Sequence, residues 1–107
     1  MILEDKQTKE IVSRLQTELE PTVIYLFGSQ VNGRAVERGS DVDLCVVVAD
    51  DDEDTYRKTV RAYRCLRDLR FPKDVIVRHQ TNFDKKSHWL SSVEHEVTKT
   101  GRMIYRR

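Results

Sequence analysis

The sequence lacks the features that mark several common protein classes. It has only two cysteines, Cys45 and Cys65, and no CxxC pair, so it shows neither a zinc-ligand pattern nor a disulfide framework. No apolar run approaches the roughly 18 residues of a membrane-spanning helix, and residues 1–10 contain no apolar signal-peptide core. We therefore expect a protein of the reducing cytoplasm.

Neither sign of charge is in excess. The 107 residues include 19 basic and 18 acidic ones, a balance that gives no reason to expect direct binding to nucleic acid or to a membrane. Walker A and GxGxxG motifs are missing as well, which leaves P-loop and Rossmann folds without support. The length suits one domain with one core, so residues 1–107 are predicted to form a single domain.

What the sequence does contain is a series of short apolar runs separated by polar segments. Runs rich in β-branched and aromatic residues predict buried strands at residues 22–27, 41–48 and 74–78. Apolar residues at helical spacing predict helices at residues 3–19, 53–70 and 87–99, with a further short helix beginning at Gly28. The helix over 53–70 has Val60, Tyr63 and Leu66 on its apolar side. The order αβαβαβα favours an α/β fold in which helices flank a small sheet, and it leaves the strand order open.

Two aspartates open the second predicted strand. Asp41 and Asp43 are two residues apart, so in a strand both carboxylates project from the same face. Like charges about 4 Å apart repel by roughly 4 kcal/mol at an effective dielectric of 20, and a divalent cation removes that repulsion. Magnesium favours a few carboxylates together with phosphate oxygens and water. The alternative is a pair of exposed turn carboxylates that precede the strand.

A Gly-Ser pair follows the first predicted strand. Gly28 would let a phosphate approach the backbone closely, and a helix that begins there would offer unpaired N–H groups. The hydroxyl of Ser29 adds a donor. The alternative is an ordinary strand-to-helix turn in which Ser29 is the N-cap.

The order of these features resembles a known family. The segment LFGSQVNGRAVERGSDVDLCVVV, residues 26–48, is similar to the DNA polymerase β-type nucleotidyltransferase superfamily. Its closest branch looks like the minimal nucleotidyltransferases that pair with HEPN-domain toxins in prokaryotic toxin–antitoxin operons. The resemblance implies a palm-like α+β fold with a small mixed sheet, ATP as substrate and two Mg²⁺ ions as cofactors.

The resemblance also implies roles for single residues. Gly28 and Ser29 would hold the terminal phosphates, while Asp41 and Asp43 would ligate the two metal ions. A third carboxylate is expected from a later strand, and Asp74 is the best match. It would share a metal and help to deprotonate the attacking hydroxyl. Asp68 and Asp84 are the less favoured alternatives for this position.

Other polar residues are weaker candidates. Ser40, next to the aspartates, and Arg34, in the loop between the two halves of the motif, are predicted to contact the nucleotide. Arg57, Arg61 and Arg64 share one face of the helix over 53–70. That face is interpreted as solvated, with a surface for an acidic partner or for phosphates as the alternative.

The resemblance implies a Mg²⁺-dependent transfer of AMP from ATP to a hydroxyl, expected to be a tyrosine of a cognate HEPN toxin. The chain would then be the antitoxin of the pair. Two other hypotheses remain open. The protein could neutralise its toxin by binding alone, or it could modify a small molecule of the aminoglycoside type.

Overall fold

The computed structural model describes residues 3–28 and 42–107 of the chain. Along these two segments the elements are α1 (Asp5–Leu19), β1 (Val23–Phe27), β2 (Val42–Val48), α2 (Thr55–Cys65), β3 (Lys73–His79), α3 (Gln80–Lys86), α4 (Val93–Thr100) and β4 (Arg102–Arg106). No helix in the described segments is both long and apolar enough to cross a bilayer.

The four strands form one mixed sheet in the order β3-β2-β1-β4. β2 pairs with β3 in parallel, whereas β1 is antiparallel to both β2 and β4. The parallel pair is joined through α2, as a parallel connection requires a crossover. The predicted fold class, a small mixed sheet flanked by helices, is therefore confirmed.

Helices cover both faces of the sheet. Because side chains alternate along a strand, each interior strand contributes to two cores. On one face α1 and α2 pack over Leu26, Leu44 and Val46, and on the other α3 and α4 pack over Cys45 and Val47. This two-sided burial explains why β1 and β2 appear in the sequence as nearly continuous apolar runs.

Local sequence sets the helix ends. α1 begins with a capping box between Glu4 and Gln7, and it ends where Glu20 adopts φ 48°, just before Pro21. α2 begins after Asp54, whose carboxylate accepts the Arg57 N–H at 2.9 Å. After residue 65 the backbone changes to tighter turns with bonds between residues three apart, so the helix predicted over 53–70 is shorter than expected.

The C-terminal region differs most from the prediction. The helix predicted over 87–99 is observed only as α4, because residues 87–92 form turns. α3 precedes these turns, in a segment where no helix was predicted. Gly101 caps the last helix, since its N–H donates to the Val97 carbonyl at 2.9 Å. The chain then continues directly into β4, a strand that the predicted order omits. The short helix expected to begin at Gly28 falls on residues 29–41, outside the described residues.

Candidate active site

Asp43 and Asp74 lie side by side at one end of the sheet. Each is the second residue of its strand, and their Cα atoms are partners in the parallel β2–β3 pairing. Neighbouring strands are about 4.8 Å apart, and residues in register project to the same face. The two carboxylates therefore start from adjacent positions on the face that also carries Cys45 and Ile76.

Gly28 lies against one of these carboxylates. It follows Phe27, the antiparallel partner of Asp43, and it has φ 74°, a conformation that side chains other than glycine rarely adopt. A Cβ atom at this position would lie 2.3 Å from Asp43 Oδ2. The missing side chain is therefore what lets the backbone at the end of β1 approach the carboxylate on β2.

Asp74 is held by a residue from a different layer. The Tyr63 hydroxyl of α2 donates to Asp74 Oδ1 at 3.0 Å and accepts the Val75 backbone N–H at 2.8 Å. Tyr63 is not among the predicted site residues, because its spacing with Val60 predicted that it lies on the apolar side of the helix. Val60 and Tyr63 are each 37% exposed, whereas Leu66, just after the helix, is buried as predicted. The buried residues of α2 itself are Lys58 and Ala62. No local sequence signal marks the contact, which depends on the packing of α2 against β3.

The two less favoured candidates for the third carboxylate lie elsewhere. Asp68 pairs with Arg14 of α1, whose guanidinium donates to it and lowers the pKa of the carboxyl group. Asp84 lies on α3, where it accepts from Gln80 at 2.9 Å. Neither residue belongs to a strand, so neither can be a register partner of Asp43. Among the three alternatives, only Asp74 is brought beside Asp43.

Four of the predicted site residues, Ser29, Arg34, Ser40 and Asp41, lie outside the described residues. Within residues 3–28 and 42–107, no group of three or more His, Cys, Asp or Glu side chains is placed to hold a metal ion. Asp43 and Asp74 nevertheless supply hard oxygen donors on adjacent strands, and the Gly28 backbone lies against the Asp43 carboxylate. This donor chemistry fits Mg²⁺, which usually takes one or two carboxylates and completes its shell with water and phosphate oxygens.

The thiol closest in sequence to the site is a core residue. Cys45 follows Asp43 on the same face of β2 but is fully buried, and burial raises the pKa of its thiol to about 12. The thiol therefore stays protonated at neutral pH. It contributes packing rather than a nucleophile.

The arginines of α2 and of the turn that follows it fall into two groups. Arg61 is paired with Glu18 and Glu53, so one part of the predicted solvated face is an ion-pair network within the chain. Arg64 and Arg67 take part in no ion pair with any described residue. They line an open cavity of about 420 Å³ next to the Tyr63–Asp74 contact. Its lining residues are Val60, Tyr63, Arg64, Arg67 and Lys73.

Comparison with known proteins identifies the family. The family model described as "Polymerase beta, Nucleotidyltransferase" matches residues 9–107. The chain belongs to this family. No curated protein matches this chain.

Solved structures with the same fold are more distant in sequence. A protein of Sulfolobus solfataricus described as a candidate nucleotidyltransferase has a TM-score of 0.65 at 21% identity, with 95% of this nucleotidyltransferase chain and 79% of that chain covered. A toxin–antitoxin complex with AMP-PNP has a TM-score of 0.67 at 24% identity, covering 94% and 73%. A toxin–antitoxin complex MntA–HpeT with two Asp-to-Glu substitutions has a TM-score of 0.65 at 20% identity, with 94% of this chain and 73% of that chain covered. At these identities the likeness shows the fold alone.

Proposed function

We propose that the protein is the antitoxin of a toxin–antitoxin pair and transfers AMP from ATP to a hydroxyl of its partner, expected to be a tyrosine of a HEPN-domain toxin. The observation that carries the transferase chemistry is the arrangement of Asp43 beside Asp74 with the Gly28 backbone against the Asp43 carboxylate. The partner is suggested by the two toxin–antitoxin complexes that share the fold, one of which contains AMP-PNP.

Each residue has a distinct part in this proposal. The backbone at Gly28, with Ser29, would hold the terminal phosphates, and Ser40 and Arg34 would add contacts to the nucleotide. Asp41, Asp43 and Asp74 would hold two Mg²⁺ ions. Bound there, the ions would stabilise the charge of the attacking and departing oxygens. Asp74 would also accept the proton of the attacking hydroxyl.

The order of the strand ends supports this division of roles. Gly28 directly follows β1, Asp43 is on the neighbouring β2, and Asp74 is on β3 at the edge of the sheet. The phosphate-holding backbone and the proton-accepting carboxylate are thus on opposite sides of Asp43. An in-line displacement needs the attacking oxygen opposite the departing pyrophosphate. In this proposal the pyrophosphate would leave on the Gly28 side of Asp43, and the hydroxyl would attack from the Asp74 side.

The experiment is an intact-mass measurement of the natural partner after co-expression with this protein. Wild type should add one or more AMP units to the partner, and an Asp43→Asn/Asp74→Asn variant should add none. Asp84→Asn is the matched control, because Asp84 is also an aspartate but lies on α3. It should behave as wild type.

Two other outcomes would change the conclusion. An unmodified partner that binds the wild type and the double variant equally well would replace catalysis with neutralisation by contact. Transfer of AMP to free aminoglycosides but not to the partner would show a small-molecule enzyme.

A further inference from the structure

Tyr63 already occupies the position that the proposed chemistry requires of an acceptor. Its hydroxyl donates to Asp74 Oδ1 at 3.0 Å, within the range expected between a catalytic base and the proton it removes. The same oxygen accepts the Val75 N–H at 2.8 Å, which fixes it at the outer edge of β3, away from β2.

The hydroxyl also extends the row of strand ends. From β1 to the edge of the sheet, the row comprises the Gly28 backbone, Asp43, Asp74 and then the Tyr63 oxygen. A triphosphate held at Gly28 would direct its pyrophosphate toward β1 and leave the opposite side open to a nucleophile. Within the described residues, the hydroxyl found on that side belongs to Tyr63.

We propose that Tyr63 is itself an acceptor, so that the protein transfers a nucleotide to its own α2. This inference rests on the proposed nucleotidyltransferase function. The Tyr63 oxygen attacks the α-phosphorus of ATP and forms a phosphodiester bond, while the bond between the α-phosphorus and its bridging oxygen to the β-phosphate breaks. Pyrophosphate leaves, and the phenolic proton passes to Asp74.

The surroundings of Tyr63 suit the product. The cavity that it lines, about 420 Å³, falls within the range of small-molecule sites. Arg64 and Arg67 bring positive charge to this cavity, and Val60 offers an apolar contact for a base. The Lys73 ammonium group is bound to the Leu69 and Phe71 carbonyls at 2.8 and 3.2 Å, so the two arginines are the cations proposed to bind the phosphate. The arginines are not engaged in ion pairs with other described residues, so they can bind an added phosphate without breaking a pair.

A tyrosine that only stabilised the fold would need neither the Asp74 contact nor the cavity lined by arginines. The hydrogen bond from the Val75 N–H can fix α2 at the edge of β3 without the Asp74 contact. It also does not require Arg64 and Arg67, which form no ion pair with a described residue, in the same cavity. Tyr56, on the same helix and 77% exposed, provides the comparison, since it is more accessible to solvent but is not part of this cavity. If accessibility alone decided modification, Tyr56 would be preferred.

The test is mass spectrometry of the purified protein, first as isolated and then after incubation with ATP and Mg²⁺. We expect a mass increase of one AMP unit, assigned to Tyr63 by peptide fragmentation. Tyr63→Phe should abolish it, and so should Asp74→Asn, which keeps the tyrosine. Tyr56→Phe should label as wild type does. Thermal unfolding by circular dichroism confirms that each variant is folded, and the fragmentation of wild type does not depend on any variant.

A parallel sample with the co-expressed partner separates this inference from the proposed function. AMP on the partner while Tyr63 stays unmodified would overturn self-transfer and leave the proposed function intact. AMP on Tyr63 with an unmodified partner would support self-transfer and count against the partner as substrate. Absence of AMP from both proteins, or its assignment to Tyr56 or another residue, would overturn self-transfer.

Discussion

At the scale of single residues, the site depends on the absence of a Cβ atom at Gly28. Any other residue would place Cβ 2.3 Å from Asp43 Oδ2, and it would have to adopt φ 74° as well. The left-handed conformation costs an L-residue roughly 1–2 kcal/mol before the clash is counted. The carboxylate would then have to move, and it is one of the groups proposed to hold metal.

We expect Gly28→Ala to lower the free energy of unfolding by at least about 1 kcal/mol and to abolish AMP transfer. The matched control is Gly101→Ala, whose Cβ would lie 2.4 Å from the Val97 carbonyl oxygen but is remote from the aspartates. That variant should lose stability and keep transfer at temperatures where it is folded. Thermal unfolding and the intact-mass assay measure the two effects, and transfer by folded Gly28→Ala at the wild-type rate would contradict the prediction.

Asp74 should contribute to the rate of AMP transfer through its charge, and it should contribute little to the stability of the fold. It is exposed, and its strand position accepts asparagine without a change of shape. Loss of a general base typically costs about 10²–10⁴-fold in rate, so Asp74→Asn should slow single-turnover transfer by that order. Its unfolding temperature should match or exceed that of wild type, because the repulsion from neighbouring Asp43 is reduced. A large fall in stability with unchanged transfer would show a structural role instead.

Much of this residue arrangement follows from the sequence, but not all of it. Aspartates at the heads of apolar strands, with a Gly-Ser pair after another strand, are local patterns, and the resemblance to the nucleotidyltransferase family is what joins them into one predicted site. The Tyr63 contact is different, because it joins α2 to β3 through packing across layers. A tyrosine among apolar helical positions gives no indication that its hydroxyl reaches a particular strand.

At the scale of secondary-structure elements, α4 is attached to the sheet by a buried ion pair. Arg78 of β3 donates to Glu94 of α4 at 2.9 Å, and the Glu94 side chain is only 5% exposed. Burial alone would raise the pKa of Glu94, but the hydrogen bond from Arg78, a backbone hydrogen bond and nearby positive charge outweigh it. The pKa is therefore lowered.

This lowered pKa makes the attachment dependent on pH. A carboxyl group with a lower pKa in the folded state stabilises the protein above its unfolded pKa of about 4.3 and loses that contribution as the pH falls through the folded value. We expect Glu94→Gln to cost about 1–2 kcal/mol at pH 7. The difference from wild type should shrink below about pH 4, as followed by thermal melts.

Glu96→Gln is the control for this prediction. Glu96 is in the same first turn of α4 and has the same favourable interaction with the helix dipole, but it is exposed and its described partner is Thr100 of its own helix. An equal loss of stability in both variants would assign the effect to the dipole. A Glu94→Gln penalty that stays constant down to pH 3 would contradict the ion-pair account.

The elements also show which patterns a sequence reveals. β1, β2 and β3 are predicted because they are buried and apolar. β4 is not, because an edge strand bounded by Arg102 and Arg106 presents only Ile104 and Tyr105 to the core. The division between α3 and α4 does have a local signal, since the Ser92 hydroxyl accepts the His95 N–H as an N-cap.

At the scale of the whole molecule, the sheet separates two cores that must form together. β2 is an interior strand whose side chains alternate between them, with Leu44 and Val46 on one side and Cys45 and Val47 on the other. Exposing either set requires the helices of that face to leave, which removes most of the buried apolar surface there. In a domain of this size we expect a single cooperative transition, in which the proposed site is lost with the fold.

Cys45 provides a direct measure of that cooperativity. It is fully buried at the centre of the sheet and its thiol has a pKa of about 12, so it should not react with a thiol reagent in the native state. In a Cys65→Ser variant, labelling of Cys45 should rise with urea in step with unfolding seen by circular dichroism, because only global opening exposes β2. The complementary variant Cys45→Ala leaves the half-buried Cys65, which should label faster without denaturant. Equal labelling rates for the two thiols in the absence of urea would contradict this prediction, because they would show that the core between the sheet and α3–α4, which contains Cys45, opens on its own. The face that carries Asp43 and Asp74 would then be a separate unit of stability.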